Sequence, residues 1–112
     1  MQFYKLDIPK GYKGSAASKS GGCGADGELF DFVPDNFIGV NIREACKIHD
    51  YRYEIGGIEK DRYMADREFR SNLRCLVLNN PNLIFKSTNL HLCELYYIAV
   101  RRYGYRYFNY HE

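Results

Sequence analysis

The feature that most constrains this chain is a pair of helical patterns punctuated by glycine. Between Asn41 and Asn79, apolar residues recur every three or four positions in two runs, and Gly56 and Gly57 interrupt them. Such a pattern buries one stripe of each helix and folds the second back on the first. The first helix is expected over 41–55, with Asn41 as N-cap and Glu44 three residues on, a capping-box-like arrangement, and with the glycines as its stop. Its inward stripe is Ile42, Ala45, Cys46, His49 and Tyr53. The second helix is expected over 59–79, closed by Asn80 and Pro81, with Phe69, Leu73, Leu76 and Val77 facing inward. Asp66 falls on that same inward face. A carboxylate there needs a partner, because an unpaired charge in low dielectric costs several kcal/mol.

A third helix is expected over 90–108, with Cys93, Tyr96, Tyr97, Val100 and Tyr103 at helical spacing. Strand signals are weak throughout, so the fold class is mainly α. At 112 residues the chain has room for one core, and a single domain over 1–112 is expected. Residues 1–27 hold six of the ten glycines and read as a short apolar entry followed by loop. Phe3, Tyr4 and Ile8 there would either pack on the core or form a lipid-facing rim. Segment 28–40, with a Pro and a Gly among its aromatics, reads as an irregular connection.

Composition excludes more than it selects. A net charge of +2 is too small to imply nucleic-acid binding and does not oppose docking on an anionic membrane. No apolar run approaches membrane-spanning length, and the first residues lack a signal-peptide core. The chain is therefore expected to be soluble as numbered, whether it works inside a cell, leaves without a signal or is trimmed beforehand. Cys23, Cys46, Cys75 and Cys93 form no CxxC pair, which argues against structural zinc and leaves disulfides or buried thiols. The tail YYIAVRRYGYRYFNYHE interleaves Tyr and Arg. It reads first as an amphipathic core helix with a basic outer face, second as a lipid-headgroup contact, and last as a single-strand nucleic-acid binder through Arg101, Arg102 and Arg106.

Three groups then separate into three roles. His49 faces inward, Asp50 points about 100° away on the same helix, and Asp66 comes from the neighbouring one. An imidazole held by a carboxylate takes a proton from water, while the carboxylate fixes its tautomer. Asp50 faces elsewhere and suits a metal. The glycines of GGCGADG at 21–27 let successive carbonyls converge on a hard cation, for which calcium fits better than zinc.

These residues resemble the calcium-dependent phospholipase A2 superfamily. ACKIHDYRY is similar to its CxxHDxxY signature, ADREF to its second-helix segment and GCGADG to its calcium loop. The resemblance covers roughly residues 20–73 and is greater to small bacterial and viral-type members than to the heavily cross-linked secreted toxins. It implies two antiparallel catalytic helices, a calcium loop and hydrolysis of the sn-2 ester of a glycerophospholipid to lysophospholipid and fatty acid.

Carried over by position, His49 is the base, Asp66 orients it, and Tyr53 supports Asp66. Asp50 and the carbonyls of Gly22, Gly24 and Asp26 hold Ca2+, and the Gly24 N–H is the oxyanion donor. Asp26 stands where the family has glycine. The partner implied is a phospholipid membrane or micelle surface and no nucleic acid, in a secreted, extracellular or virus-associated setting; nothing in the pattern fixes an oligomeric state. The resemblance also implies a Cys23–Cys46 disulfide, whereas Cys75 and Cys93 would either pair or remain buried thiols. The family's other bridge near the site is lost at both ends, where Arg52 and Ala65 stand. The competing expectation is a non-catalytic module of the same fold that binds a membrane or a protein.

Overall fold

The computed structural model describes residues 8–11, 40–80 and 84–112. They form three helices, α1 (Arg43–Ile55), α2 (Glu59–Asn79) and α3 (Lys86–Tyr103), followed by a 3₁₀ turn at Gly104–Arg106. The protein is mainly helical. The described residues contain no strand, only an isolated bridge between Gly57 and Tyr110. None of their helices is long and apolar enough to cross a membrane. The entry segment, the glycine-rich loop with Gly22, Cys23, Gly24 and Asp26, and most of segment 28–40 lie outside the described residues. Ile8 is exposed, so it is not a core residue.

Helix α2 has the expected bounds, and its two ends show why. Asp61 Oδ2 accepts the Ile58 N–H at 2.9 Å, satisfying a donor just ahead of the first turn. At the other end Asn80 turns extended, as the residue before a proline prefers. Helix α1 starts two residues later than expected. Asn41 Oδ1 accepts the Arg43 N–H at 2.9 Å, so its side chain forms the turn before the helix. The helix closes at Gly56, whose φ of 70° suits glycine and whose N–H donates to Arg52 O at 2.9 Å. A Cβ on Gly56 would lie 1.8 Å from the carbonyl oxygen of Asn109, so the close approach of the C-terminal segment also requires glycine.

The three-residue turn sends α2 back along α1, bringing Arg52 to Glu68 and both His49 and Tyr53 to Asp66. Helix α3 then returns along α2: Arg62 meets Val100, and Arg70 meets Glu94 and the ring of Tyr97. Arg52 and Glu68 make two parallel bonds, 3.1 and 3.0 Å long. This ion pair joins α1 to α2 beside Arg52 and Ala65, where the resemblance would put a disulfide. Helix α3 departs furthest from expectation, beginning at Lys86 and giving way at Gly104 to the 3₁₀ turn.

The apolar core lies toward the start of α1 and the end of α2. Ile42, Ala45 and Cys46 pack with Phe69, Leu73 and Val77 and with Cys93, Tyr96 and Val100 of α3. Cys75 and Cys93 are buried thiols not joined by a disulfide, which decides between the two expectations for them. Burial pushes the Cys93 thiol up to about 12, so it stays protonated and packs as a small hydrophobe. Cys46 is disulfide-bonded, and the partner that the resemblance implies, Cys23, lies outside the described residues.

Candidate active site

Below the apolar core the same three helices turn polar inside. His49 and Tyr53 are one helical turn apart on α1, so their side chains meet on one face. Their rings lie 4.2 Å apart, and Phe69 of α2 stacks on the imidazole at 4.5 Å. The ring is thus wedged between two tilted aromatic neighbours and is only 1% exposed.

Asp66 is the hub of the site and is fully buried. Its Oδ1 lies 2.7 Å from His49 Nε2 and accepts the Tyr53 hydroxyl at 2.6 Å. An ionised carboxylate only accepts hydrogen bonds, so Nε2 carries the ring proton and Nδ1 is the nitrogen with the lone pair. On the other side, Oδ2 accepts a bond from Arg101 Nη1 at 2.6 Å, with Arg62 Nη1 3.5 Å away. The contact expected between His49 and Asp66 is present, with Tyr53 on the same oxygen.

A second carboxylate completes the cluster. Glu59, seven residues before Asp66 on the same face of α2, accepts Arg62 Nε and the Tyr110 hydroxyl on Oε1, at 2.8 and 2.6 Å. Its Oε2 accepts Arg62 Nη2 and Arg101 Nη2, at 3.0 and 2.9 Å. Two carboxylates thus face two guanidiniums, and the cluster is neutral when His49 is neutral. That balance lets four charged groups sit together at a partly dry site without the cost of an unpaired charge.

The protonation states follow from the contacts. Burial works to raise the Asp66 carboxyl, but the bond and charge of His49 and the bonds from Tyr53 and Arg101 outweigh it and hold the group below its ordinary value. Burial, reinforced by the Asp66 charge, pushes Tyr53 well above the usual phenol range, so it remains a donor. For Glu59 the Arg62 bonds dominate, and with Tyr110 and Arg101 they draw the carboxyl down to about 2 against burial.

Asp50 is half-buried on α1, next to His49 in sequence. The described residues contain no group of three or more His, Cys, Asp or Glu side chains arranged for a metal. One carboxylate beside a set of main-chain carbonyls does not need such a group. The carbonyls expected to complete it, from Gly22, Gly24 and Asp26, lie outside the described residues.

Four members of the site were not expected: Glu59, Arg62, Arg101 and Tyr110. The tail pattern places Arg101 on a basic outer face, but its guanidinium turns inward to Asp66. The available signal was its position, four residues after Tyr97 and directly beside Val100 on the buried stripe, together with a buried carboxylate able to accept more bonds than one imidazole and one phenol supply.

No protein-family model, curated protein or solved structure matches the chain.

Proposed function

We propose that this protein is a calcium-dependent phospholipase A2-like hydrolase that cleaves the sn-2 ester of glycerophospholipids. The observation that carries the proposal is the hydrogen-bonded pair of His49 Nε2 and Asp66 Oδ1, 2.7 Å apart, inside a two-helix hairpin that also carries the resemblance to the HD signature. Asp66 fixes the tautomer and stabilises the imidazolium that forms when Nδ1 takes a proton from water. That water attacks the ester carbonyl. The proton then passes from Nδ1 to the leaving alkoxide of the lysophospholipid, and the fatty acid departs with the new C–O bond. Tyr53 and Phe69 hold the ring in place, and the dry surroundings strengthen its bond to Asp66.

The donor set suits a hard cation: the Asp50 carboxylate with the main-chain carbonyls of Gly22, Gly24 and Asp26 would hold calcium. When bound, that ion supplies Lewis-acid polarisation of the ester carbonyl. By the same resemblance, the Gly24 N–H would be the main-chain donor for the oxyanion.

Release of fatty acid from phospholipid–detergent mixed micelles tests the reading. Wild-type protein is expected to release it with calcium and not with chelator, and His49→Ala to lose at least about 100-fold in rate. Equal rates for wild type and His49→Ala would refute catalysis by this pair. Lipid binding by wild type without hydrolysis, with or without calcium, would favour the non-catalytic module.

A further inference from the structure

We infer that Arg101 is a positioning residue for this centre: it reaches in from α3 and locks the Asp66 carboxylate so that Oδ1 stays on the His49 ring. Its kinetic consequence rests on the hydrolase reading; its geometric consequence does not.

The argument starts from how loosely a carboxylate is held by its own side chain. The terminal torsion of aspartate is broad, so the carboxyl group rotates easily unless both oxygens are tied. In Asp66, Oδ1 serves His49 and Tyr53, and a rotation would break both bonds together. What opposes that rotation is the bond from Arg101 Nη1 to Oδ2, short at 2.6 Å and charged at both ends. Arg101 is itself fixed. Its Nη2 donates to Glu59 at 2.9 Å, and its guanidinium lies 5.2 Å from the centre of the Tyr63 ring. A planar fork held at two points transmits orientation in a way that a lysine ammonium cannot.

Arg62 provides the contrast. It is nearer to Asp66 in sequence and more deeply buried, yet it spends its nitrogens elsewhere. Nη1 donates to Val100 O at 3.0 Å, while Nε and Nη2 grip Glu59, leaving Asp66 at 3.5 Å. Arg62 therefore ties α2 to the end of α3, whereas Arg101 holds the carboxylate that holds the ring. The orientation of His49 depends on three helices rather than two.

The experiment compares wild type, Arg101→Ala, Arg101→Lys and a control, Arg74→Ala, whose exposed side chain lies 3.6 Å from Glu94 and outside the Asp66 cluster. Thermal unfolding establishes that each variant is folded. The proton on His49 Nε2 is then followed by NMR, with turnover of a short-chain phospholipid measured alongside. In Arg101→Ala the Nε2 proton resonance is expected to move upfield or vanish by exchange. Its kcat should fall about 10- to 100-fold with KM unchanged. Added guanidinium ion should restore part of the rate where equal sodium chloride does not, because the side chain is partly exposed and leaves a reachable gap. Arg74→Ala should match wild type in every readout.

An unchanged Nε2 resonance in folded Arg101→Ala would overturn the inference and leave Arg101 as a structural ion pair. If Arg101→Ala does not fold, Arg101→Lys decides in its place: an upfield shift supports the fork, and an unchanged resonance refutes it. Should wild type hydrolyse nothing, the hydrolase reading falls while the resonance still decides the role of Arg101.

Discussion

Two halves of one helical bundle solve the same problem in opposite ways. In the upper half, Phe69, Leu73 and Val77 of α2 meet Ile42, Cys46, Tyr96 and Val100 in an apolar core. In the lower half the same α2 face carries Asp66 and Glu59, which bind His49, Tyr53 and Arg101, and Arg62, which binds Glu59, all through directed bonds of 2.6–3.0 Å. Apolar burial is non-directional, so it stabilises without fixing any one torsion. A partly buried ion cluster contributes little net stability for its desolvation cost, but it fixes angles. Phe69 belongs to both halves, packing in the core and stacking on His49. The lower half positions groups and the upper half holds the bundle together.

That division is open to attack from either side. The largest effect is expected for Asp66→Asn, which leaves Arg101 and Arg62 facing an uncharged amide. A loss of about 3–5 kcal/mol in denaturant unfolding, together with loss of hydrolysis, is anticipated. Leu73→Ala, in the fully buried core, should cost about 2–5 kcal/mol while the rate per folded molecule stays at wild type. A comparable rate loss in that variant would mean that the halves are not separable.

Gly104→Ala probes the border between tail and site. A Cβ there would fall 2.2 Å from the Tyr53 hydroxyl, so Tyr53 must leave Asp66 or the 3₁₀ turn must shift. About 1–3 kcal/mol and a lowered kcat are expected; an unchanged crystal position for Tyr53 would contradict it.

Acid gives the smallest and only reversible test. The folded-state value of Asp66 lies below its unfolded value, so its contribution is present above the unfolded range near pH 4 and disappears as pH falls through the folded value. Between pH 7 and 5 stability should be flat in this respect, with the loss from Asp66 setting in near pH 4 and deepening below it. Glu59, drawn down to about 2, adds a shallower acid limb because it is exposed and screened. Lost stability between pH 7 and 5 that Asp66→Asn abolishes would contradict the assigned direction.

How much of this was legible depends on where the signal is local. The ends of α2 were readable because Gly56–Gly57 and Asn80–Pro81 punctuate it chemically, and the inward face of His49, Tyr53 and Asp66 follows from helical period alone. The start of α1 was misplaced because Asn41 serves the Arg43 N–H, a choice between neighbouring donors that sequence does not distinguish. Helix α3 gives way at Gly104 rather than at 108, and that position is a glycine for a tertiary reason that lies far off in sequence, the close approach of Tyr53 some 50 positions earlier. The inward turn of Arg101 is invisible locally, because charge favours solvent and its partners Asp66 and Glu59 lie 35 and 42 positions away.

Residues 107–111 bear on how the centre comes into being. Asn109 bonds Tyr53 and Gly57, His111 bonds Gly57 and Ile55, and Phe108 sets its ring edge-on to Tyr53 at 5.1 Å. All of these partners are made roughly fifty residues before the segment that grips them. A nascent chain carrying only α1 and α2 would hold the imidazole and its carboxylate on the same hairpin, yet with neither the guanidinium nor the clasp that set them. Competence would thus arrive only once residues 101–111 have left the ribosome, as a step and not a gradual gain.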